Sequence, residues 1–195
     1  MTEIKVPFTG CYEEHKKFHI TFTPGITTLV GVNGAGKSSA IIELKQWLRK
    51  HDIPCFGYIQ NDESRDVVSS MGRSDRNMEV FLTYFNSSEG QKIIVTYANM
   101  IHKLKRFLEE HKDDEIVFAV FDGIDSGLSI NNVIDALDIF NLIIKDYPNV
   151  AIVNTANNYE FLTGTRCVNI KTGKDKKFKT YDAFKKFIIK QGTVE

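Results

Sequence analysis

Residues 31–38 read Gly-Val-Asn-Gly-Ala-Gly-Lys-Ser, a stretch that fits the pattern Gly-x-x-x-x-Gly-Lys-Ser/Thr at every fixed position. In this pattern the glycines let the backbone curve around phosphates, so that N–H groups of the loop and of the following helix point at anionic oxygens. Lys37 is predicted to reach the β- and γ-phosphates, and Ser38 to offer its hydroxyl to Mg²⁺. The stretch therefore predicts a nucleoside triphosphate as the ligand.

The sequence on either side of this loop supplies the context that the motif requires. Residues 26–30 are β-branched and apolar, as expected for a buried strand, and residues 39–48 have helical spacing with Ile41, Leu44 and Leu48 on one face. Strand, loop and helix in this order favour phosphate binding over the alternative, a glycine-rich turn without a ligand. The residues predicted to contact the phosphates are Asn33, Gly34, Ala35, Gly36, Lys37, Ser38 and Ser39.

Length and composition limit the classes of protein to consider. A chain of 195 residues predicts a single domain over 1–195. Lysine plus arginine equals aspartate plus glutamate at 25 each, so the summed charge does not favour nucleic acid or an anionic membrane. No apolar stretch approaches the roughly 20 residues of a membrane span and no signal-peptide pattern is present, which predicts a cytoplasmic protein without membrane contact.

The rest of the chain alternates predicted strands and helices. Strands are predicted at 4–8, 18–22, 54–59, 116–121 and 150–155, and helices at 88–110 and after Ser129. This alternation predicts an α/β fold with a mainly parallel sheet flanked by helices and a short N-terminal antiparallel β element. A polar insert is expected over 61–86, and a basic strand and helix extension over 166–195.

An acidic residue at the end of a hydrophobic strand is the usual second half of a phosphate-loop site, where it holds Mg²⁺. Asp122 has this position. The surrounding text, residues 120–129, resembles the Walker B and D-loop stretch of ABC-type ATPases, and the match is close at Asp122 and at Ser126-Gly127-Leu128. The resemblance implies a P-loop NTPase that uses ATP and Mg²⁺.

Two further segments resemble ABC motifs in the expected order. Ser88, Gly90 and Gln91 resemble the Ser-x-Gly-Gln core of the ABC signature, which in that family binds the γ-phosphate of ATP held by the other subunit. The alternative is a capping box formed by Ser88 and Gln91, which needs no ligand. Gln60 has the place of the glutamine that touches Mg²⁺ and the attacking water in the family.

Two positions depart from the family pattern. Gly123 stands where the family has its catalytic glutamate, and Ala156 where it has its switch histidine, and both changes predict slow hydrolysis. Asp125 is the candidate catalytic substitute, with Asn157 as a second candidate if the loops bend suitably.

Few residues separate Gln60 from Ser88 along the sequence, which leaves little room for an inserted subdomain. The resemblance therefore points to a small, stand-alone relative of the SMC and RecF-like branch. It implies an ATP-dependent head-to-tail homodimer that slowly hydrolyses ATP to ADP and phosphate. The alternative is a non-hydrolysing ATP-dependent switch that holds a larger protein partner. A P-loop kinase ranks last, because it leaves the signature match unexplained.

The lysines over 171–190 are interpreted as a solvated face above inward-packed aromatics, with a nucleic-acid contact surface as the alternative.

Overall fold

A computed structural model describes residues 2–9, 17–59, 89–126 and 128–192. Within the range 89–126, side chains are described from Tyr97 onward. Gln60, Ser88, Gly127 and the predicted insert over 61–86 lie outside the described residues, so the predictions made for them remain sequence-based.

Apolar, β-branched runs form a six-stranded sheet. Its strands are β3 (Gly25–Val30), β4 (Cys55–Ile59), β5 (Val117–Asp122), β6 (Val150–Thr155), β7 (Arg166–Asn169) and β8 (Lys174–Lys176). They lie in the order β4-β5-β6-β3-β7-β8, and all are parallel except β8, which is antiparallel to β7. The predicted mainly parallel sheet is confirmed.

The predicted N-terminal antiparallel element is also confirmed. Strands β1 (Ile4–Phe8) and β2 (Phe18–Phe22) pair with each other over their full lengths. Their alternating pattern buries one side of the pair, Val6, Phe8, Ile20 and Phe22, each at most 1% exposed.

Four α-helices accompany the sheet in the described ranges: α1 (Lys37–Lys50), α2 (Glu89–Glu110), α3 (Ile130–Asp146) and α4 (Tyr181–Gly192). Alternate residues of β5 belong to two different apolar clusters, as the pleat requires when both faces of a sheet are covered. One cluster joins α1 and the β1–β2 pair, and the other joins α2, α3 and α4. Ser129 caps α3 by accepting a hydrogen bond from the Asn132 N–H at 3.3 Å, as predicted from the sequence.

The C-terminal segment contains more sheet than the sequence predicts. One closing strand was expected, but β7 joins the main sheet directly beside β3, and β8 adds an antiparallel edge. In α4, Phe184 is buried and Phe187 packs on the same apolar cluster, whereas Tyr181 is 56% exposed. The lysines of β8 and of the outer side of α4 are exposed. The aromatic side chains of this segment therefore mostly face the core, and the lysines face solvent.

The strand order determines where a site can form. Strand β6 lies between β3 and β5, so the residues that follow these three parallel strands meet at one edge of the sheet. In the described part of the chain, no helix has both the length and the apolar character that a membrane crossing requires.

Candidate functional site

The loop between β3 and α1 has the backbone that its glycines predict. Gly34 and Gly36 have φ angles of 80° and 91°, in the left-handed region that favours glycine. The Ala35 N–H donates to the Val32 carbonyl at 3.0 Å, which closes a tight turn before α1 begins at Lys37. No acidic residue lies in the first turn of α1, so the positive end of the helix dipole is not neutralised by a carboxylate of its own.

Lys37 is half-buried beside this loop and bonds to it. Its Nζ donates to the carbonyl oxygens of Gly31 at 2.7 Å and Val32 at 3.2 Å. Burial lowers the pKa of Lys37, and the nearby carboxylates of Asp125 and Asp122 oppose that effect. The structure thus brings the predicted phosphate-loop lysine and the two predicted acidic residues to the same end of the sheet.

Asp122 is the last residue of β5, and its carboxylate is held by a neighbouring strand. The Thr155 hydroxyl, at the end of β6, donates to Asp122 Oδ1 at 2.7 Å and accepts from the Gly123 N–H at 2.8 Å. Thr155 is only 2% exposed, so its hydroxyl is shielded from water, whereas Asp122 and Gly123 are half-buried. Thr155 is not among the predicted site residues. Its signal in the sequence is the polar pair Asn154-Thr155 that ends an otherwise apolar strand, much as Asp122 ends β5.

Gly123 has a backbone reason to be glycine. Its φ is +67°, in the left-handed region, and its carbonyl accepts from the Ser126 N–H at 2.9 Å in a turn that leads away from β5. An L-amino acid in this conformation is strained by about 1–2 kcal/mol. The turn at this position therefore disfavours any side chain, including the glutamate that the ABC family has here.

Asp125 joins the loop after β5 to the loop after β6. The carboxylate is 2% exposed, and its Oδ2 accepts from the N–H groups of Asn157 and Asn158, both at 2.6 Å. Its Oδ1 is buried and has no hydrogen-bond partner among the described residues. Asp125 thus has a structural task in this chain, and its predicted catalytic role remains a prediction. Ala156 is buried and Asn157 is exposed.

Mg²⁺ prefers hard oxygen ligands. The chemistry of the donor set fits that ion: Ser38 is exposed in the first turn of α1, and the Asp122 carboxylate is half-exposed at the same sheet edge. These two residues would hold the ion, with Gln60 as the predicted third ligand.

Two of the three signature-like residues, Gly90 and Gln91, lie at the start of a helix, as predicted. Helix α2 begins at Glu89, which puts Gly90 and Gln91 in its first turn. The helix packs through Phe107 on Phe56 of β4, with ring centroids 5.9 Å apart. The phosphate contact predicted for Ser88, Gly90 and Gln91 is to a nucleotide bound by another subunit.

The fold resembles that of one solved head domain. The chain is similar in structure to the SMC head domain from Thermotoga maritima, with a TM-score of 0.51 and 16% sequence identity, over 90% of this chain and 97% of that chain. At this identity the likeness shows the fold alone: a mainly parallel sheet flanked by helices with a small antiparallel pair. No protein-family model matches the sequence, and no curated protein matches it either.

Proposed function

We propose that this chain is an ATP-binding, ABC-type P-loop ATPase domain that uses Mg²⁺. The observation that carries the proposal is one edge of the sheet, where Lys37 lies in a glycine-rich phosphate loop close to Asp122, itself fixed by Thr155. The SMC-head fold supports the same conclusion. The proposed contacts to ATP and Mg²⁺ come from Asn33, Gly34, Ala35, Gly36, Lys37, Ser38, Ser39, Gln60 and Asp122.

The phosphate loop, Lys37, Ser38 and Asp122 each have a proposed role in binding ATP. Backbone N–H groups of the loop and the N-terminus of α1 bind the phosphate oxygens. Lys37 exchanges its bonds to the Gly31 and Val32 carbonyls for bonds to the β- and γ-phosphates. The Ser38 hydroxyl and the Asp122 carboxylate are the oxygen ligands that would hold Mg²⁺, which when bound would supply charge neutralisation at the transferred phosphoryl group.

Hydrolysis is proposed to be slow, because the chain supplies little to orient water. Gly123 has no side chain, Ala156 is buried and apolar, and Asp125 Oδ2 already accepts two backbone N–H groups. Positioning and charge neutralisation alone still give phosphoryl transfer a modest rate. Gln60 and Asp125 remain the proposed catalytic assistants to Lys37 and Asp122.

The direct test is steady-state phosphate release from ATP with Mg²⁺. We expect a low rate that Lys37→Ala abolishes, whereas Lys50→Ala, an exposed lysine in the last turn of the same helix, leaves it unchanged. Equal rates for the wild type and Lys37→Ala would mean that a contaminant hydrolyses the ATP, and the ATPase proposal would then be wrong.

We further propose that ATP joins two copies head to tail, with Ser88, Gly90 and Gln91 of one copy against the nucleotide of the other. The position of Gly90 and Gln91 in the first turn of α2 supports this, because a helix N-terminus favours an anion. Sedimentation of the chain with ATP, with ADP and without nucleotide tests it. Ser88→Arg should keep nucleotide affinity and lose the ATP-dependent dimer; dimerisation that persists in this variant contradicts the arrangement.

A non-hydrolysing switch is the second candidate, in which ATP occupancy decides whether a larger protein partner or a nucleic acid is held. The left-handed Gly123 favours it, since this backbone does not accommodate a catalytic glutamate without strain. ATP binding that is lost in Lys37→Ala, together with no phosphate release by the wild type, would select this candidate.

A further inference from the structure

The last turn of helix α4 contacts the phosphate loop. The Val32 N–H donates to the Gln191 Oε1 at 3.4 Å. A Cβ added at Gly31 would lie 3.6 Å from the same Gln191 oxygen, and one added at Gly192 would lie 3.9 Å from Val32 Cγ1. The C-terminal helix therefore ends directly against the start of the loop, 159 residues away in the chain.

The Gln191 amide is itself held in one orientation. Its Nε2 donates to Asn169 Oδ1 at 3.1 Å, and the same oxygen accepts from the Lys171 N–H at 3.0 Å. Lys171 Nζ donates in turn to the Gln191 carbonyl at 3.4 Å. Since Asn169 is the last residue of β7 and 6% exposed, the amide is oriented by the sheet and not by solvent.

The hydrogen bond from the Val32 N–H to Gln191 fixes the peptide between Gly31 and Val32. The Val32 N–H and the Gly31 carbonyl belong to one planar peptide, in which the two groups point in opposite directions. The carbonyl accepts from Lys37 Nζ at 2.7 Å, and the N–H donates to Gln191. One peptide at the start of the loop is thus held by the phosphate-loop lysine on one side and by helix α4 on the other.

We propose that Gln191 is a positioning residue of the phosphate loop, and that it fixes the Gly31–Val32 peptide and so raises the affinity of the loop for a triphosphate. The inference rests on the proposed function. When Lys37 leaves the Gly31 carbonyl for a phosphate, Gln191 is the partner that this peptide keeps. Holding the loop in its bound conformation beforehand reduces the ordering that binding requires.

The test compares Gln191→Met, which keeps an unbranched chain of equal length and loses the amide, with Lys186→Met, an exposed position on the same helix. Affinity for ATP with Mg²⁺ is measured by titration calorimetry, and hydrogen exchange of the Val32 amide by NMR. We expect Gln191→Met to weaken ATP binding and to speed exchange at Val32 by about 2- to 10-fold each, the range that one intramolecular hydrogen bond gives. Lys186→Met should change neither.

Wild-type affinity in Gln191→Met, or unchanged exchange at Val32, would overturn the inference. A wild-type chain that binds no ATP overturns the proposed function instead, and the exchange rate at Val32 then decides by itself whether Gln191 anchors the loop. Should Gln191→Met fail to fold, Asn169→Ala removes the acceptor that orients the amide and leaves the sequence of α4 unchanged. It should change both measurements in the same direction, and wild-type values for it would also overturn the inference.

Discussion

Thr155→Val is the substitution that most directly tests how Asp122 is held. Valine has nearly the shape of threonine and suits a strand, so the change removes the hydroxyl with little change in packing volume. Two bonds are lost with it: the donation to Asp122 Oδ1 at 2.7 Å and the acceptance from the Gly123 N–H at 2.8 Å.

The magnitude follows from the environment of the two bonds. A hydrogen bond to a charged group contributes about 1.5–3 kcal/mol, and a buried N–H left without a partner costs about 1–3 kcal/mol. Because Asp122 and Gly123 are both half-exposed, water replaces part of each contribution. We therefore expect a loss of about 2–4 kcal/mol in the free energy of unfolding, which for a chain of this size lowers the melting temperature by about 4–16 °C.

The assay is urea denaturation of the wild type, Thr155→Val and Thr155→Ser. Serine keeps the hydroxyl and loses one buried methyl, which costs about 1 kcal/mol. The serine variant should therefore be the more stable of the two, and it should keep more of the Mg²⁺-dependent ATP affinity. If valine is as well tolerated as serine, then the hydroxyl does not hold Asp122 and our account of this contact is refuted.

Three further substitutions test other features of the fold. Gly123→Glu should lower the unfolding free energy by about 1–2 kcal/mol in denaturation, because its φ is +67°, and it should not raise phosphate release; a faster ATPase would contradict this. Asn154→Val removes two buried side-chain atoms without hydrogen-bond partners in the described structure, so it should raise the unfolding free energy by about 1–3 kcal/mol; a loss would show that these atoms are satisfied in solution. Ser129→Ala removes the cap of α3 and should cost about 1 kcal/mol in the same measurement, with no cost if the cap is unimportant.

The phosphate loop and its flanks could be predicted from the sequence because their signals are local. The predicted strand over 26–30 is observed as Gly25–Val30, and the predicted helix over 39–48 as Lys37–Lys50. The long helix after the insert was predicted from Ser88 to Glu110 and is observed as Glu89–Glu110. In each case, the apolar spacing that predicts the element lies within the element itself.

The contacts around Asp122 could not be predicted in the same way. Thr155 meets Asp122 across 33 residues of chain, and the contact exists only because β6 pairs with β5 in one register. Strand β7 has four residues and too little periodicity to be recognised, and it is defined by its pairing with β3. From the sequence, Gly123 indicates only the loss of a glutamate, because the sequence does not give the φ angle of 67° that the turn has at this residue.

Helix α4 has a consequence for the spacing of the whole site. At its start, Tyr181 and Phe184 contact Tyr159, with ring centroids 5.9 Å and 6.1 Å apart, and Tyr159 follows the Asn158 that Asp125 holds. At its end, Gln191 holds the phosphate loop. Helix α4 thus sets the distance between the phosphate loop and the loop after β6. A residue inserted within the helix would lengthen it by about 1.5 Å and rotate one end relative to the other by about 100°. Such an insertion after Lys186 should weaken ATP binding more than any single substitution of an exposed lysine in α4, and unchanged affinity would show that the two loops keep their distance without it.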